Sequence, residues 1–188
     1  MDKLKLKPIC CGNDIMLRLI EADDLDKYYK DGFEHEDKEV MLCTGSTSGI
    51  TREQLAAYIN RIVTDNTRYD LLIINKEKNI LGEVVLNQID WETKCSSFRI
   101  GLFKMESCNR GLGELATKEM LKLGFETLGL HRIELEVFAF NVRAFKCYSK
   151  CGFIKEGVLR DAHMIEPGIY CNVICMSILS SDYFKVSE

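Results

Sequence analysis

The six residues from Cys108 to Gly113 could hold an anion. They read Cys108, Asn109, Arg110, Gly111, Leu112 and Gly113, and they stand between a predicted strand and a predicted helix. The first N–H groups of a helix have no partner within it, and the helix dipole favours negative charge there. Glycine has no Cβ to keep a phosphate away from those groups. We therefore predict a phosphate or diphosphate site at this loop.

Other interpretations of the loop are open at this point. A Walker A loop is excluded because Gly113 is not followed by Gly-Lys-Ser/Thr. The pattern Gly111-x-Gly113-x-x-Ala116 matches a dinucleotide fingerprint, and Glu134 follows at about the distance of a ribose-binding acid. The long connection between strand and glycine argues against that match. A glycine turn that serves only helix packing is the remaining alternative.

A second pair of residues lies on one predicted helix. Asn141 and Tyr148 are two helical turns apart on the same face, so both can address one extended ligand. A tyrosine with pKa near ~10 is protonated at neutral pH and can act as a proton donor. Taken alone, Tyr148 also fits an ordinary half-buried aromatic residue.

The nine cysteines do not predict a disulfide framework or a metal site. Their number is odd, and the start of the chain lacks the apolar run of a signal peptide. The spacings Cys147/Cys151 and Cys171/Cys175 fit one face of a helix and of a strand better than structural zinc. A cysteine nucleophile near the loop would need a base, and the sequence relates no histidine to one.

The elements that must position these residues follow from hydrophobic periodicity. Strands are predicted over 15–20, 69–75, 80–89, 97–103, 131–138, 153–160 and 168–179. Helices are predicted from 21, from Thr51 to about 66 after a Thr51–Gln54 capping box, over 112–129 and over 142–150. This order predicts an α/β (α+β) mixed sheet with helices packed on it, in one domain over 1–188.

The composition limits the classes of molecule that we expect the protein to bind. The chain is 46% apolar and carries a net charge of −4, which disfavours a nucleic-acid surface and supports a proper core. No stretch approaches the ~18 apolar residues of a membrane span. We expect a cytoplasmic protein with no nucleic-acid or membrane partner.

Three ordered motifs resemble the GCN5-related N-acetyltransferase (GNAT) superfamily. They are Cys108–Gly113, Leu130–Val137 and Asn141–Gly157, and the resemblance extends from about Ile15 to Leu179. Within the superfamily the chain resembles the branch of ribosomal-protein N-terminal acetyltransferases and bacterial spermidine acetyltransferases. The resemblance implies a GNAT fold, with a central, mostly antiparallel sheet that is splayed at its middle and flanked by helices.

The resemblance also implies a cofactor site for acetyl-CoA. The pantetheine arm would enter between the strand 97–103 and the strand that begins at His131. Backbone groups of Ile100, Gly101 and Leu102 would bond the arm, and the loop from Cys108 to Gly113 would wrap the diphosphate. Asn141 would contact the arm, and Tyr148 would protonate the thiolate. Family members usually carry Gln or Arg where Cys108 stands.

The implied activity is direct acetyl transfer to a primary amine, on a protein N-terminus or a small molecule, without a covalent enzyme intermediate. A polyamine acetyltransferase and a CoA-binding regulatory module without turnover are the alternatives. The sequence is compatible with a homodimer.

Four residues are candidates for acceptor binding: Glu34, Glu83, Gln88 and Ser97. Glu83 and Gln88 have opposite parity on one strand, so without a bulge only one faces the cleft. The resemblance implies that polyamine-acetylating relatives carry carboxylates at the positions of Gln88 and Ser97. The acidic stretch around Glu34 fits a solvated surface better than a binding site.

Overall fold

An eight-stranded sheet forms the centre of the protein in a computed structural model, which describes residues 3–12, 14–46 and 48–185. The strands are β1 (Ile9–Cys10), β2 (Ile15–Leu19), β3 (Tyr69–Asn75), β4 (Ile80–Asp90), β5 (Cys95–Leu102), β6 (Arg132–Phe138), β7 (Ile154–Glu166) and β8 (Ile169–Leu179). Their spatial order is β1-β2-β3-β4-β5-β6-β8-β7. Neighbouring strands are antiparallel except β5 and β6, which are parallel.

Helices cover both faces of this sheet. They are α1 (Leu25–Gly32), α2 (Lys38–Thr44), α3 (Arg52–Ile62), α4 (Leu112–Lys122), α5 (Val142–Lys150) and α6 (Ser180–Lys185), and α4 continues into a π-helical turn over Leu123–Thr127. The predicted capping box starts α3, since Thr51 Oγ1 accepts from the Gln54 N–H and Gln54 Oε1 accepts from the Thr51 N–H.

Alternation along the strands sorts side chains between two cores. Val84 and Phe98 lie on the face covered by α4 and α5, in the larger core. Glu83 and Arg99 lie on the opposite face, where α1 and α3 pack around buried Tyr28. The two faces of β4 and β5 therefore present different chemistry to the helices on either side.

The sheet is splayed between β5 and β6. The two strands pair at Cys95–Arg132, Ser96–Ile133 and Ser97–Glu134. Beyond these pairs β5 continues beside β4, while β6 continues beside β8. The predicted fold class, a mostly antiparallel sheet with an opening at its middle and helices on both sides, is confirmed.

Some element boundaries differ from prediction. The strand 69–75 and the helix 142–150 are found as predicted, but α3 ends at Ile62 rather than near residue 66. Asp65 accepts from the Thr67 N–H there, which stabilises a turn instead of another helical turn. Helix α2, strand β1 and helix α6 were not predicted, because each is short and α2 lies in a segment interpreted as acidic surface.

Candidate active site

A cavity of about 1450 Å³ opens where β5 and β6 diverge. It is lined by α5 and the start of α4 on one face of the sheet, by α1 and α3 on the other, and by α2 across its mouth. Small-molecule pockets usually measure about 300–1,000 Å³. The cavity therefore has room for a long ligand that passes through the sheet, or for two ligands that meet within it.

The start of α4 has the features of an anion site. Gly111 is the N-cap residue, has φ +78° and offers no side-chain acceptor to the first helical N–H groups. A Cβ built at Gly111 would meet nothing within 4 Å, so the space before these N–H groups is open. Arg143, Lys146 and Lys150 contribute positive charge to the same cavity. The loop geometry fits a diphosphate.

The six predicted loop residues do not all line the cavity. Cys108, Asn109, Gly111 and Gly113 belong to its wall, whereas Leu112 is buried in the core and Arg110 is exposed outside it. Burial raises the pKa of the Cys108 thiol, which therefore stays neutral at pH 7. Cys108 thus adds no charge to the loop.

Ile100, Gly101 and Leu102 also line the cavity, at the part of β5 that β6 leaves. Along one edge of β5, the backbone at these three residues pairs with β4. The opposite edge of the strand faces the opening. A Cβ at Gly101 would have no neighbour within 4 Å. An extended ligand arm can therefore lie along this edge and bond to the backbone as a strand would.

Tyr148 stands at the bottom of the opening. Its ring packs edge-on against Phe98 and Phe153, with centroids 6.1 and 6.0 Å away, and the residue is 8% exposed. Across the described ranges, no hydrogen-bond partner is found for its hydroxyl. Burial raises the pKa of Tyr148, and the neighbouring thiols raise it further. The hydroxyl is protonated at neutral pH and free to donate.

Asn141 is already engaged by protein groups. Its Oδ1 accepts from the Ala144 N–H at 3.1 Å and caps α5, and its Nδ2 donates to the Cys43 carbonyl at 3.1 Å. Asn141 still borders the cavity, and one amide hydrogen remains for a ligand. Its predicted contact with the cofactor arm stays a prediction.

Helix α2 forms a wall of the site that the sequence analysis missed. Asp37 caps the helix by accepting from the Glu39 and Val40 N–H groups, and its other oxygen accepts from the Met105 N–H at 2.8 Å. Gly45, with φ +67°, ends it. The spacing of an acidic N-cap and a glycine after the last turn was the signal that could have revealed this helix.

Glu83 and Arg99 meet on the acceptor-side face. Arg99 Nη2 lies 2.7 Å from Glu83 Oε1, and the Tyr28 hydroxyl donates to Glu83 Oε2. Burial raises the pKa of Tyr28, and the adjacent carboxylate raises it further, so its hydroxyl remains a donor. Both oxygens of Glu83 are therefore occupied. Tyr28 and Arg99 were not singled out from the sequence.

A second ion pair supports this one from behind. Asp70, whose side chain is 2% exposed, accepts from Arg68 at 2.6 and 2.8 Å. The Tyr58 hydroxyl donates to Asp70 at 3.1 Å and accepts from Arg68 and from Arg99, each at 2.9 Å. Tyr58 thus joins two guanidinium groups and a carboxylate in one network with no spare hydroxyl bond.

The remaining acceptor candidates lie elsewhere. Gln88 has φ +52° in a bulge of β4 and is exposed, and the Ser97 hydroxyl donates to its Oε1 at 3.2 Å. Glu34 is exposed, and of the acidic segment it is Glu36 and Asp37 that border the cavity. Of the four candidates, the structure brings Glu83 to the cavity and leaves the other three outside its wall.

The described residues contain no cluster of three or more His, Cys, Asp or Glu side chains suited to a metal ion. Within the same ranges, no helix is long and apolar enough to cross a membrane.

The family is established by sequence. The model of the acetyltransferase (GNAT) domain family matches residues 14–154. The chain belongs to this family, and it is an acetyl-CoA-dependent N-acetyltransferase, as the resemblance implied. The dinucleotide interpretation of the glycine loop is thereby wrong.

Named relatives agree with this assignment. The spermidine N(1)-acetyltransferase of Vibrio cholerae is 31% identical over 136 residues, 72% of this chain and 78% of the relative. The uncharacterized N-acetyltransferase p20 of Bacillus licheniformis is 26% identical over 90% of this chain and 94% of the relative. The crystal structure of the Vibrio cholerae spermidine N-acetyltransferase in complex with CoA and spermine has a TM-score of 0.81, at 26% identity, over 92% of this chain and 99% of that one.

Proposed function

We propose that the enzyme transfers the acetyl group directly from acetyl-CoA to a primary amine, on a peptide N-terminus or a small molecule, with Tyr148 as the proton donor to the departing sulfur. The observation that carries the proposal is the continuous cavity. It joins the open start of α4, the free edge of β5 and Tyr148 to the opposite face of the sheet. A cofactor from one side and an acceptor from the other can therefore meet in it.

Each part of the site has one task in this proposal. The N–H groups at the start of α4 bind the diphosphate, and the backbone of Ile100, Gly101 and Leu102 aligns the arm. The amine nitrogen attacks the thioester carbon, the new N–C bond forms and the C–S bond breaks. Tyr148 gives its proton to the sulfur as thiolate charge develops. General acid catalysis of this kind contributes about 10²–10⁴-fold.

The amine must lose a proton as well, since a lysine-like amine with pKa ~10.4 is almost fully charged at pH 7. Glu83 faces the acceptor side of the cavity, but Tyr28 and Arg99 occupy both of its oxygens. This pairing argues against Glu83 as a free base. We give Glu83 the role of holding Arg99 instead. The ammonium then loses one proton to bulk water before attack, and the second proton, released from nitrogen after attack, passes through water to the Tyr148 oxygen.

A polyamine acceptor is the second candidate, and the relatives that are named spermidine N(1)-acetyltransferases support it. A carboxylate-rich acceptor site would suit such a polycation. Gln88 and Ser97 supply no carboxylate, and Glu83 is neutralised by an arginine. These features favour the first candidate.

We further propose a homodimer through the hairpin of β7 and β8. Strand β7 is an edge of the sheet, and the hairpin exposes more than half of Ile154, Met164, Ile169 and Tyr170. Large apolar side chains at a sheet edge invite pairing with another copy. Sedimentation equilibrium tests this proposal, and a monomer at micromolar concentration would contradict it.

The activity is tested by release of free CoA in the presence of an amine panel: N-terminal peptides, amino acids, spermidine and spermine. Turnover with an amine, at a rate well above hydrolysis, is expected. Tight acetyl-CoA binding without turnover on any amine would instead support the regulatory module.

A further inference from the structure

We propose that Arg99 recognises the acceptor and that the preferred acceptor is a primary amine that also carries a carboxylate. This inference rests on the proposed function, because it concerns the second substrate of the same cavity. It follows from which side chains on the acceptor face keep unused hydrogen-bonding capacity.

Arg99 is the exposed member of the polar network, and it lines the cavity. Its side chain is 49% exposed, against 12% for its partner Glu83. A guanidinium carries five N–H donors. One terminal nitrogen serves both Glu83 and Tyr58, and the other two nitrogens meet no protein acceptor among residues 3–12, 14–46 and 48–185. Those donors form the fork that binds a carboxylate through two parallel hydrogen bonds.

The carboxylates of the same network are not available to a ligand. Glu83 is held by Arg99 and Tyr28, and Asp70 is held by Arg68 and Tyr58. Two guanidinium groups thus neutralise two carboxylates. The side chain of this network that is exposed to the cavity, Arg99, is a cation. An acceptor that enters the cavity here meets N–H donors before it meets a carboxylate oxygen.

The acidic residues on the opposite wall are also engaged. Asp37 accepts from the Met105, Glu39 and Val40 N–H groups, and Glu36 Oε1 accepts from the Gly49 N–H at 2.9 Å. They act as caps for local backbone and do not form a cage of free carboxylates. These two carboxylates at α2 therefore supply little extra attraction for a polycation.

Arg99 stays charged despite its concave surroundings. Burial is the largest single effect and lowers the pKa of Arg99, but Glu83, Tyr58, Tyr28 and Asp70 together outweigh it and the net shift is upward. The fixed hold by Glu83 and Tyr58 also reduces the freedom that the side chain loses when a carboxylate binds.

The test compares acceptors that differ only in one charge. The probes are ω-amino acids from glycine to aminohexanoate, each beside its carboxamide, with release of free CoA as the readout. A dipeptide amide with Asp or Asn in second position distinguishes a peptide carboxylate from a free amino acid. At the favoured length we expect kcat/KM to be about tenfold or more higher for the carboxylate, because hydrogen bonds to charged groups are the strong ones.

Variants assign the preference to Arg99. In R99Q the ratio of carboxylate to carboxamide should fall to about one through a rise in acceptor KM, while acetyl-CoA affinity is unchanged. R99K should keep part of the ratio, because lysine supplies a positive charge but cannot form the two parallel hydrogen bonds of a guanidinium. R52Q is the matched control and should behave as wild type, because the Arg52 side chain is 50% exposed and paired with a carboxylate as Arg99 is, but lies outside the cavity wall.

The outcomes separate this inference from the proposed function. Equal efficiency with each carboxylate and its carboxamide in the wild-type enzyme would overturn the inference and leave amine acetylation standing, and this comparison needs no variant to fold. A preference for spermidine that R99Q leaves unchanged would overturn it too. Absence of turnover on every amine would overturn both.

Discussion

The two halves of the cavity are built by different means. In the function proposed above, the cofactor half lies on the α4 and α5 face and relies on backbone: the first turn of α4, the free edge of β5 and one tyrosine that lines the opening. On the α1 and α3 face, the acceptor half relies on side chains, with Arg68, Asp70, Tyr58, Arg99, Glu83 and Tyr28 joined in one network.

This difference teaches where specificity can change. A backbone site recognises a shape that every enzyme using the same cofactor must recognise, and substitutions leave its N–H groups in place. A side-chain network can be altered one residue at a time. The side-chain network is therefore the part of the cavity where single substitutions can change specificity.

The largest effect is expected where the halves meet. Y148F removes the hydroxyl and keeps the ring between Phe98 and Phe153, so kcat should fall about 10²–10⁴-fold while acetyl-CoA affinity stays the same. The measurement is CoA release beside equilibrium binding of acetyl-CoA. Y29F, at a half-buried tyrosine on α1 that does not line the cavity, is the control. A kcat equal to that of wild type would remove Tyr148 from the mechanism.

The acceptor half should prove the more fragile to loss of a charge. D70N leaves the half-buried Arg68 guanidinium without its counter-charge, which costs about 3–5 kcal/mol of unfolding free energy. E114Q breaks the Glu114–Lys118 ion pair on α4, on the other face of the sheet, where the two side chains are 34% and 56% exposed, and it should cost about 1 kcal/mol or less. Urea denaturation measures both. Similar losses in the two variants would contradict the distinction between the halves.

The cofactor half should be sensitive to backbone conformation. G111A places a Cβ at φ +78°, which costs about 1–2 kcal/mol and displaces the N–H groups that face the diphosphate. We expect about tenfold weaker acetyl-CoA binding by calorimetry. G129A has the same kind of strain at φ +65°, with no neighbour within 4 Å and outside the cavity wall. If G129A weakened binding equally, the effect would be general destabilisation.

The smallest effect concerns the link between the halves. The hydrogen bond from the Met105 N–H, followed by those from α2, lowers the pKa of Asp37. Its stabilising contribution is present above the unfolded value of about 3.8 and is lost as pH falls through the lower folded value. The stability difference between wild type and D37N should therefore shrink below about pH 4 in urea titrations. A difference that stays the same from about pH 6 to about pH 3 would contradict this assignment.

Local patterns predicted most of the fold. The capping box at Thr51 and Gln54, the apolar strand 69–75 and the helix after Asn141 depend on near neighbours in sequence, so their patterns were sufficient. The bulge at Gln88 was not visible, since a positive φ at glutamine arises from pairing with β5. The bulge places the Gln88 side chain on the surface, where it is hydrogen-bonded to Ser97.

The same difference between local patterns and long-range contacts applies to the candidate site. The loop at Gly111 and the helix that carries Tyr148 were predicted from motifs, because their geometry is local. Arg99 was missed because its partners Tyr58 and Glu83 come from distant parts of the chain and meet only in the folded sheet. A contact between residues that are far apart in the chain leaves no periodic pattern in a single sequence.

The short parallel contact between β5 and β6 has a consequence for heating experiments. A cofactor arm laid along Ile100, Gly101 and Leu102 would act as a brace across the gap between two half-sheets that share few ladder bonds. Ligand binding to the native state alone raises apparent stability with the logarithm of ligand concentration. The melting temperature should accordingly climb as acetyl-CoA is added, and protection of β5 amides from hydrogen exchange should climb with it.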